Sequence, residues 1–375
     1  MAPPRILHLH STFDLGGKEA RAVRLMNAFG PDYRHEVVSA VPGATNAMNA
    51  VDEGIDARLA EDFPPLAGRP SPRRLHILAR AMKPYDLVLT YNFGAMDAVL
   101  ARRLFGGPPL VHHEDGFNED ERDGQKRARI LYRRAALPAA RALVVPSHTL
   151  ERAALETWKQ PRGRVHRIPN GLNSARFAEA PDPAAIPGIA KPDGELWIGT
   201  LAGLRPIKNL PRLVRAYAFA QRIHGANAKL VIVGEGPQRA EIEAAAAEAG
   251  VADQLVMPGF LADPARYAGL FDIFALSSDS EQFPISLIEA MAAGVPAAAT
   301  DVGDIRMILA EENRPLLART ADAESLGRSL ARLMGDAELR ARLGAANRQR
   351  VRSEYDEAGM IAAYRSLYEE ALAAR

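Results

Sequence analysis

The chain has no cysteine, so disulfides, thiolate metal sites and cysteine nucleophiles are all excluded. It has no apolar run approaching the ~20 residues that span a bilayer. Its first ten residues, Met-Ala-Pro-Pro-Arg-Ile-Leu-His-Leu-His, lack the long apolar core and cleavage pattern of a secretory signal. An excess of charge is also missing: 47 basic against 46 acidic side chains leave a net +1, which points to no nucleic-acid partner. These absences give a cytoplasmic expectation, with a peripheral place on the inner face of the plasma membrane as its variant. What is present is length, since 375 residues suffice for two domains with separate cores.

Short β-branched or aliphatic runs alternate with helical patterns throughout, the habit of parallel sheets covered on both faces. The pattern predicts strands near residues 5–10, 35–41, 86–91, 110–113, 142–146 and 165–168 in the first half. In the second half it predicts them near 196–201, 229–233, 255–258, 273–277 and 296–300. Between residues 175 and 194 the pattern breaks, where Pro181, Pro183, Pro187 and Pro192 crowd among small residues. The expected layout is therefore a Rossmann-like domain over 1–174, a linker over 175–194 and a second Rossmann-like domain over 195–355. A closing helix over 356–375 follows. Ligands of doubly wound sheets sit beyond the C-terminal strand ends, so two such domains would place theirs in a cleft between them.

The stretch Glu281-Gln-Phe-Pro-Ile-Ser-Leu-Ile-Glu289-Ala-Met-Ala-Ala-Gly-Val-Pro296 is the most informative. Pro284 suits the first position of a helix, which leaves Glu281 in the preceding loop and Glu289 in the second turn. On one continuous helix the carboxylates would lie ~12 Å apart along the axis; the loop lets Glu281 fold back. Two carboxylates beside a helix N-terminus, which favours anions, suit a nucleotide-sugar. Backbone donors would come from Phe283, Ile285 and Ser286, because Pro284 has no N–H. Arg205 and Lys208, three residues apart in a turn after a strand, can converge on one pyrophosphate. Gly16-Gly17, between the first strand and a helix, permits close backbone approach to a phosphate or sugar. After the apolar run 108–111, expected to be a strand, come His112, His113, Glu114 and Asp115 at its end. A metal site there is disfavoured because neighbouring strand residues face opposite sides.

In order and spacing these pieces resemble the family-4 retaining glycosyltransferases, which have the two-domain GT-B fold. The resemblance rests on the Glu281…Glu289 motif, on Gly16-Gly17-Lys-Glu19 and on Val165-His-Arg-Ile-Pro-Asn170-Gly171-Leu-Asn173. It rests also on Gly199-Thr-Leu-Ala-Gly-Leu-Arg205-Pro-Ile-Lys208-Asn209 and Val231-Ile-Val-Gly234-Glu-Gly236-Pro237. It is closest between residues 165 and 304.

The resemblance implies that Arg205 and Lys208 stabilise the departing nucleoside diphosphate, that Glu281 contacts the donor sugar and that Glu289 holds the ribose. Gly16 and Gly17 would close over the donor. It implies a histidine near the reaction centre, here His113, with His112 an equal candidate by sequence. No cofactor or metal is implied beyond the nucleotide-sugar substrate, and the closing helix is expected to return to the first domain. The acceptor would be a glycan or a lipid-linked saccharide. Lys126, Arg127, Arg129, Arg133 and Arg134, on one predicted helix, suit a lipid-pyrophosphate acceptor or an anionic membrane surface. Two other readings stay open: a nucleotide-sugar epimerase on the same fold, and a non-catalytic nucleotide-sugar binding protein.

Overall fold

The structure is a computed structural model describing residues 2–14, 16–117, 121, 124–319 and 322–373. The chain divides into two compact units, Met1–Asn170 with Gly359–Arg375, and Gly171–Ala358.

In the first unit, β1 (Arg5–His10), β2 (Arg34–Ser39), β3 (Ala57–Leu59), β4 (Leu87–Tyr91), β5 (Leu110–His113), β6 (Ala142–Val145) and β7 (Val165–Arg167) form one sheet. Its order is β3-β2-β1-β4-β5-β6-β7, with parallel pairing throughout. All five residues of β4 are buried, as a sheet covered on both faces requires. The strand period of two divides them between two cores. Leu7, Leu9 and Val88 meet the helices Pro72–Met82 and Met96–Phe105 on one face. On the other face Ile6, Leu87 and Leu89 meet the helix Gly17–Phe29 and the closing helix Glu357–Ala373. That helix presents Met360, Tyr364, Leu367, Tyr368 and Ala371 to the core, a helical stripe of apolar positions.

The second unit holds β8 (Leu196–Leu201), β9 (Ala228–Val233), β10 (Leu255–Gly259), β11 (Ile273–Leu276), β12 (Ala297–Thr300) and β13 (Leu317–Ala318). They form a parallel sheet in the order β10-β9-β8-β11-β12-β13. One face packs on the helices Leu210–His224 and Ala323–Gly335, the other on the helix Ile285–Ala292. Among the described residues no helix is long and apolar enough to cross a membrane.

Three features depart from the sequence reading. Residues 175–194 are not a free linker: Phe177 and Ile186 are buried in the second unit's core beside Trp197 and Phe271, so the prolines mark an irregular segment that packs. The strands β3 and β13 were not expected; with three and two residues they are too short for an alternation to register, and only an edge partner defines them. Pro284 stands one position before the helix Ile285–Ala292, as its cap.

Candidate active site

In the second sheet the connections from β8 and β11, its two central strands, run to opposite sides. The topology switches between them, and doubly wound sheets bind ligands beyond the C-terminal strand ends at such a point. The loop after β8 carries Arg205 and Lys208; the loop after β11 carries Glu281. Across 73 residues of sequence the Lys208 ammonium meets the Glu281 carboxylate at 2.5 Å. The Ser278 hydroxyl donates to the same carboxylate oxygen at 2.6 Å. The Glu281 side chain is only 8% exposed and that of Lys208 17%, so both charges are partly withdrawn from water and depend on one another.

A further set of bonds fixes these two loops. Asn209 adopts a left-handed conformation (φ 44°, ψ 51°) at the start of the helix Leu210–His224, and its amide donates to Asp279 at 3.2 Å. Arg212, one turn into that helix, pairs with Asp279 at 2.6 Å and donates to the Ser277 carbonyl at 3.0 Å. The Ser277 hydroxyl lies 2.9 and 3.0 Å from the carbonyls of Lys208 and Asn209. From β12, Thr300 donates to the Ser278 carbonyl at 2.7 Å. Gly303 (φ +56°) passes so close to the loop that a methyl group on it would lie 1.6 Å from the Glu281 carbonyl oxygen. Sequence reasoning assigned no role to Asn209, Arg212, Ser277, Ser278, Asp279, Thr300 or Gly303. The available signal was polar Ser277-Ser278-Asp279 directly after an apolar strand, and Asp301-Val302-Gly303 after the next.

The remaining donor-side candidates lie on the same two loops and on the helix Ile285–Ala292 that follows the second. Arg205 is exposed and has no side-chain partner among the described residues, so its charge is available where that of Lys208 is engaged. Ile285 and Ser286 open the helix Ile285–Ala292, ahead of its first internal bond from Leu287 N–H to the Pro284 carbonyl, and their amides are donors without an intrahelical acceptor. Phe283 turns its ring edge-on to Tyr355, with centroids 5.7 Å apart, and packs against the core. Glu289 is half-buried in the second helical turn. Burial and then the charges of Glu289 and Asp263 push up the Tyr267 hydroxyl.

In the first unit Gly16 and Gly17 are exposed where β1 passes into the helix Gly17–Phe29. Neither has a positive φ; Gly16 instead answers a close approach, since a methyl there would lie 2.9 Å from the Glu19 carboxylate. Glu19 is buried and pairs with Lys18. Burial is the main cause that brings Lys18 down to about 8; Asp115 opposes it and Arg21 adds to it. Arg21 grips both oxygens of Asp115 at 2.5 and 2.9 Å and the Asn170 side chain at 2.9 Å. The Asp115 amide donates to Asn92 at 2.7 Å. Residues following β1, β4, β5 and β7 are thus tied together at one end of the sheet.

The two candidate histidines are enclosed in the core. His113 is 1% exposed; its Nδ1 meets the Thr90 carbonyl at 3.2 Å and its Nε2 the Tyr368 hydroxyl at 2.9 Å. Burial and then Arg21 hold it well below the usual histidine range. Both of its ring nitrogens are thus engaged by groups of the core. His112 is equally enclosed, 2.8 Å from the Thr90 hydroxyl and 3.4 Å from Glu114.

The basic helix divides its cations between core and surface. Arg133 is fully buried, doubly bonded to Glu114 at 3.1 and 3.2 Å, and packed on Trp158 and Phe93. Burial alone would raise the Glu114 carboxyl, but His112 and Arg133 outweigh it and hold it low. Arg129 is turned to Glu121 at 2.9 Å and lies over Phe93. Only Lys126, Arg127 and Arg134 remain exposed, beside Leu131 at 62%. The single stretch of cations has two faces, and one holds the core together.

Residues 15–176 match the family model described as Glycosyltransferase Family 4, and residues 183–350 match glycosyl transferases group 1. EpsF of Bacillus subtilis, named as a glycosyltransferase, is 28% identical over 79% of this chain and 79% of its own. The 2-deoxystreptamine glucosyltransferase of Streptomyces kanamyceticus is 39% identical over 31% of this chain and 32% of its own length. A GDP-mannose-dependent phosphatidylinositol monomannoside mannosyltransferase of Mycobacterium tuberculosis is 31% identical over 52% of this chain and 53% of its own. Among solved structures, a sucrose-phosphate synthase from Thermosynechococcus elongatus superimposes with a TM-score of 0.80 at 22% identity, covering 99% of this chain and 100% of that one. Anabaena HepE in complex with UDP and glucose gives 0.79 at 17% identity, covering 98% and 100%. At such identities the superpositions speak to fold alone. Both halves match, in the expected order and on two doubly wound sheets: the chain is a family-4 glycosyltransferase with the GT-B fold.

Proposed function

We propose that the protein moves a sugar from a nucleotide-sugar donor to a hydroxyl of a glycan or lipid-linked acceptor, with retention of anomeric configuration and without a bound metal. The observation that carries this reading is the Lys208–Glu281–Ser278 cluster at the switch point of the second sheet, with Arg205 exposed in the same loop. When the anomeric C–O bond breaks, negative charge develops on the departing diphosphate. Arg205, Lys208 and the opening amides of the helix Ile285–Ala292 would stabilise that charge most in the transition state. Glu281, held by Ser278, would accept hydrogen bonds from donor hydroxyls, and Glu289 would do the same for the ribose. The acceptor oxygen bonds to the anomeric carbon as the phosphate leaves, and its proton passes to a phosphate oxygen on the same face. The nucleotide dependence agrees with the GDP-mannose named for the mycobacterial relative and the UDP bound by HepE. A membrane-borne acceptor would be met by Lys126, Arg127 and Arg134 around Leu131.

The test is a transfer assay with UDP-glucose and GDP-mannose, with the product's anomeric configuration read by NMR. An α-linked product formed equally with EDTA present, and about 10²–10³-fold slower in Lys208→Ala, is expected. An inverted product, loss of activity in EDTA or an unaffected Lys208→Ala enzyme would overturn the reading.

A further inference from the structure

At the end of the first sheet opposite the Gly16 loop lies a cavity of about 440 Å³, a size within the range of small-molecule sites. Arg102, Arg141, Arg164, His166, Leu367 and Glu370 contribute to its wall. Arg141 immediately precedes β6 and Arg164 immediately precedes β7, so both stand at strand N-termini, away from the loops described above. Arg102 is fixed by donating to the carbonyls of Pro108 and Ala139, both at 2.7 Å, and Arg164 by donating to that of Pro138 at 2.9 Å. Carbonyls hold these side chains in place without neutralising them. Among the described residues no carboxylate pairs with Arg102, Arg141 or Arg164. Arg102 and Arg141 are close enough to repel: after burial, the Arg141 charge is what lowers Arg102. Three guanidinium groups thus share one concavity with a single carboxylate, Glu370, which accepts from Ser366 at 3.3 Å.

An uncompensated cation cluster of this kind is relieved by an anion. Guanidinium forks match phosphate oxygens two at a time. The cavity has room for more than a bare phosphate, and Glu370 beside His166 offers acceptors for hydroxyl groups. We propose that this cavity is a second binding site, taking a phosphate monoester of a hydroxylated compound. The phosphate would sit on Arg102, Arg141 and Arg164 and the hydroxyls on Glu370 and His166.

The experiment is calorimetric titration at fixed ionic strength with glucose 6-phosphate, with glucose and with inorganic phosphate, alongside sedimentation with phosphatidic acid vesicles. Binding of glucose 6-phosphate but not glucose is expected. It should be unchanged in Arg205→Ala/Lys208→Ala, which separates it from the donor site, and weakened about tenfold or more in Arg141→Gln/Arg164→Gln, whose side chains are exposed. Glu370→Gln should narrow the preference for the sugar ester over inorganic phosphate. Vesicle binding that depends on Arg141 and Arg164, without binding of the soluble ester, would assign the same phosphate chemistry to a lipid headgroup. Binding of neither, or binding indifferent to Arg141 and Arg164, would overturn the proposal.

Discussion

Replacing Gly303 by alanine tests whether the Lys208–Glu281 geometry governs activity. Gly303 has φ +56°, and its new methyl would fall 1.6 Å from the Glu281 carbonyl oxygen. An ordinary contact needs about twice that separation, so the Glu281 loop must retreat by roughly 1.5 Å. A carboxylate held at 2.5 Å from Lys208 cannot keep that bond through such a shift, and a displacement of about 1 Å at a positioned group costs ~10²-fold in rate. Left-handed backbone also costs a side-chain-bearing residue about 1–2 kcal/mol. Gly225 supplies the control: its φ is +59° and nothing lies within 4 Å of where its methyl would stand. Gly225→Ala should lose only that backbone increment, roughly 2–4 °C in Tm per kcal/mol, and keep full turnover. Gly303→Ala should melt lower still and lose about 100-fold in kcat/KM. The assay is transfer kinetics and thermal melting of both variants side by side. A Gly303→Ala enzyme whose kcat/KM stays within about threefold of Gly225→Ala would refute the claim that loop position is critical.

Two further outcomes concern stability. Arg133→Ala leaves the buried Glu114 without its cation and should cost about 3–5 kcal/mol in denaturant unfolding, whereas Arg134→Ala on the exposed side should stay within about 0.5 kcal/mol; equal losses would mean that Arg133 is not the core cation described. His8, His10 and His113 are held well below the usual histidine range, each mainly by burial, and burial brings His35 to about 4 despite Asp56. The unfolded chain therefore binds more protons below its histidine pKa near 6.5, so stability is intact above that pH and falls as pH drops towards 4. The share of His35 is about 3 kcal/mol. A Tm that stays flat from pH 7 down to 4 would contradict it.

The repeating alternation of apolar strand and amphipathic helix is a local property, and it determined the doubly wound class and eleven of the strands. Local too were the loop position of Glu281, the helical turn of Glu289 and the turn that carries Arg205 and Lys208, because Pro284, Gly294 and Pro206 punctuate the chain at those points. Partnership is not local. Lys208 meets Glu281 only because β11 is laid beside β8, with β9 and β10 on the other side. No spacing along the chain encodes that order. The same limit hides the surroundings of Arg133 and His113. A helix rich in cations reads as a surface for an anionic partner until Glu114 and Trp158 are brought under it, and a histidine at a strand end reads as a ligand until Tyr368, 255 residues later, closes over it. Sequence by itself determined which elements form, because backbone preference and apolar period act within a few residues. Tertiary structure alone decided which charges are buried, paired or left to a ligand, because those depend on neighbours that sheet order brings together.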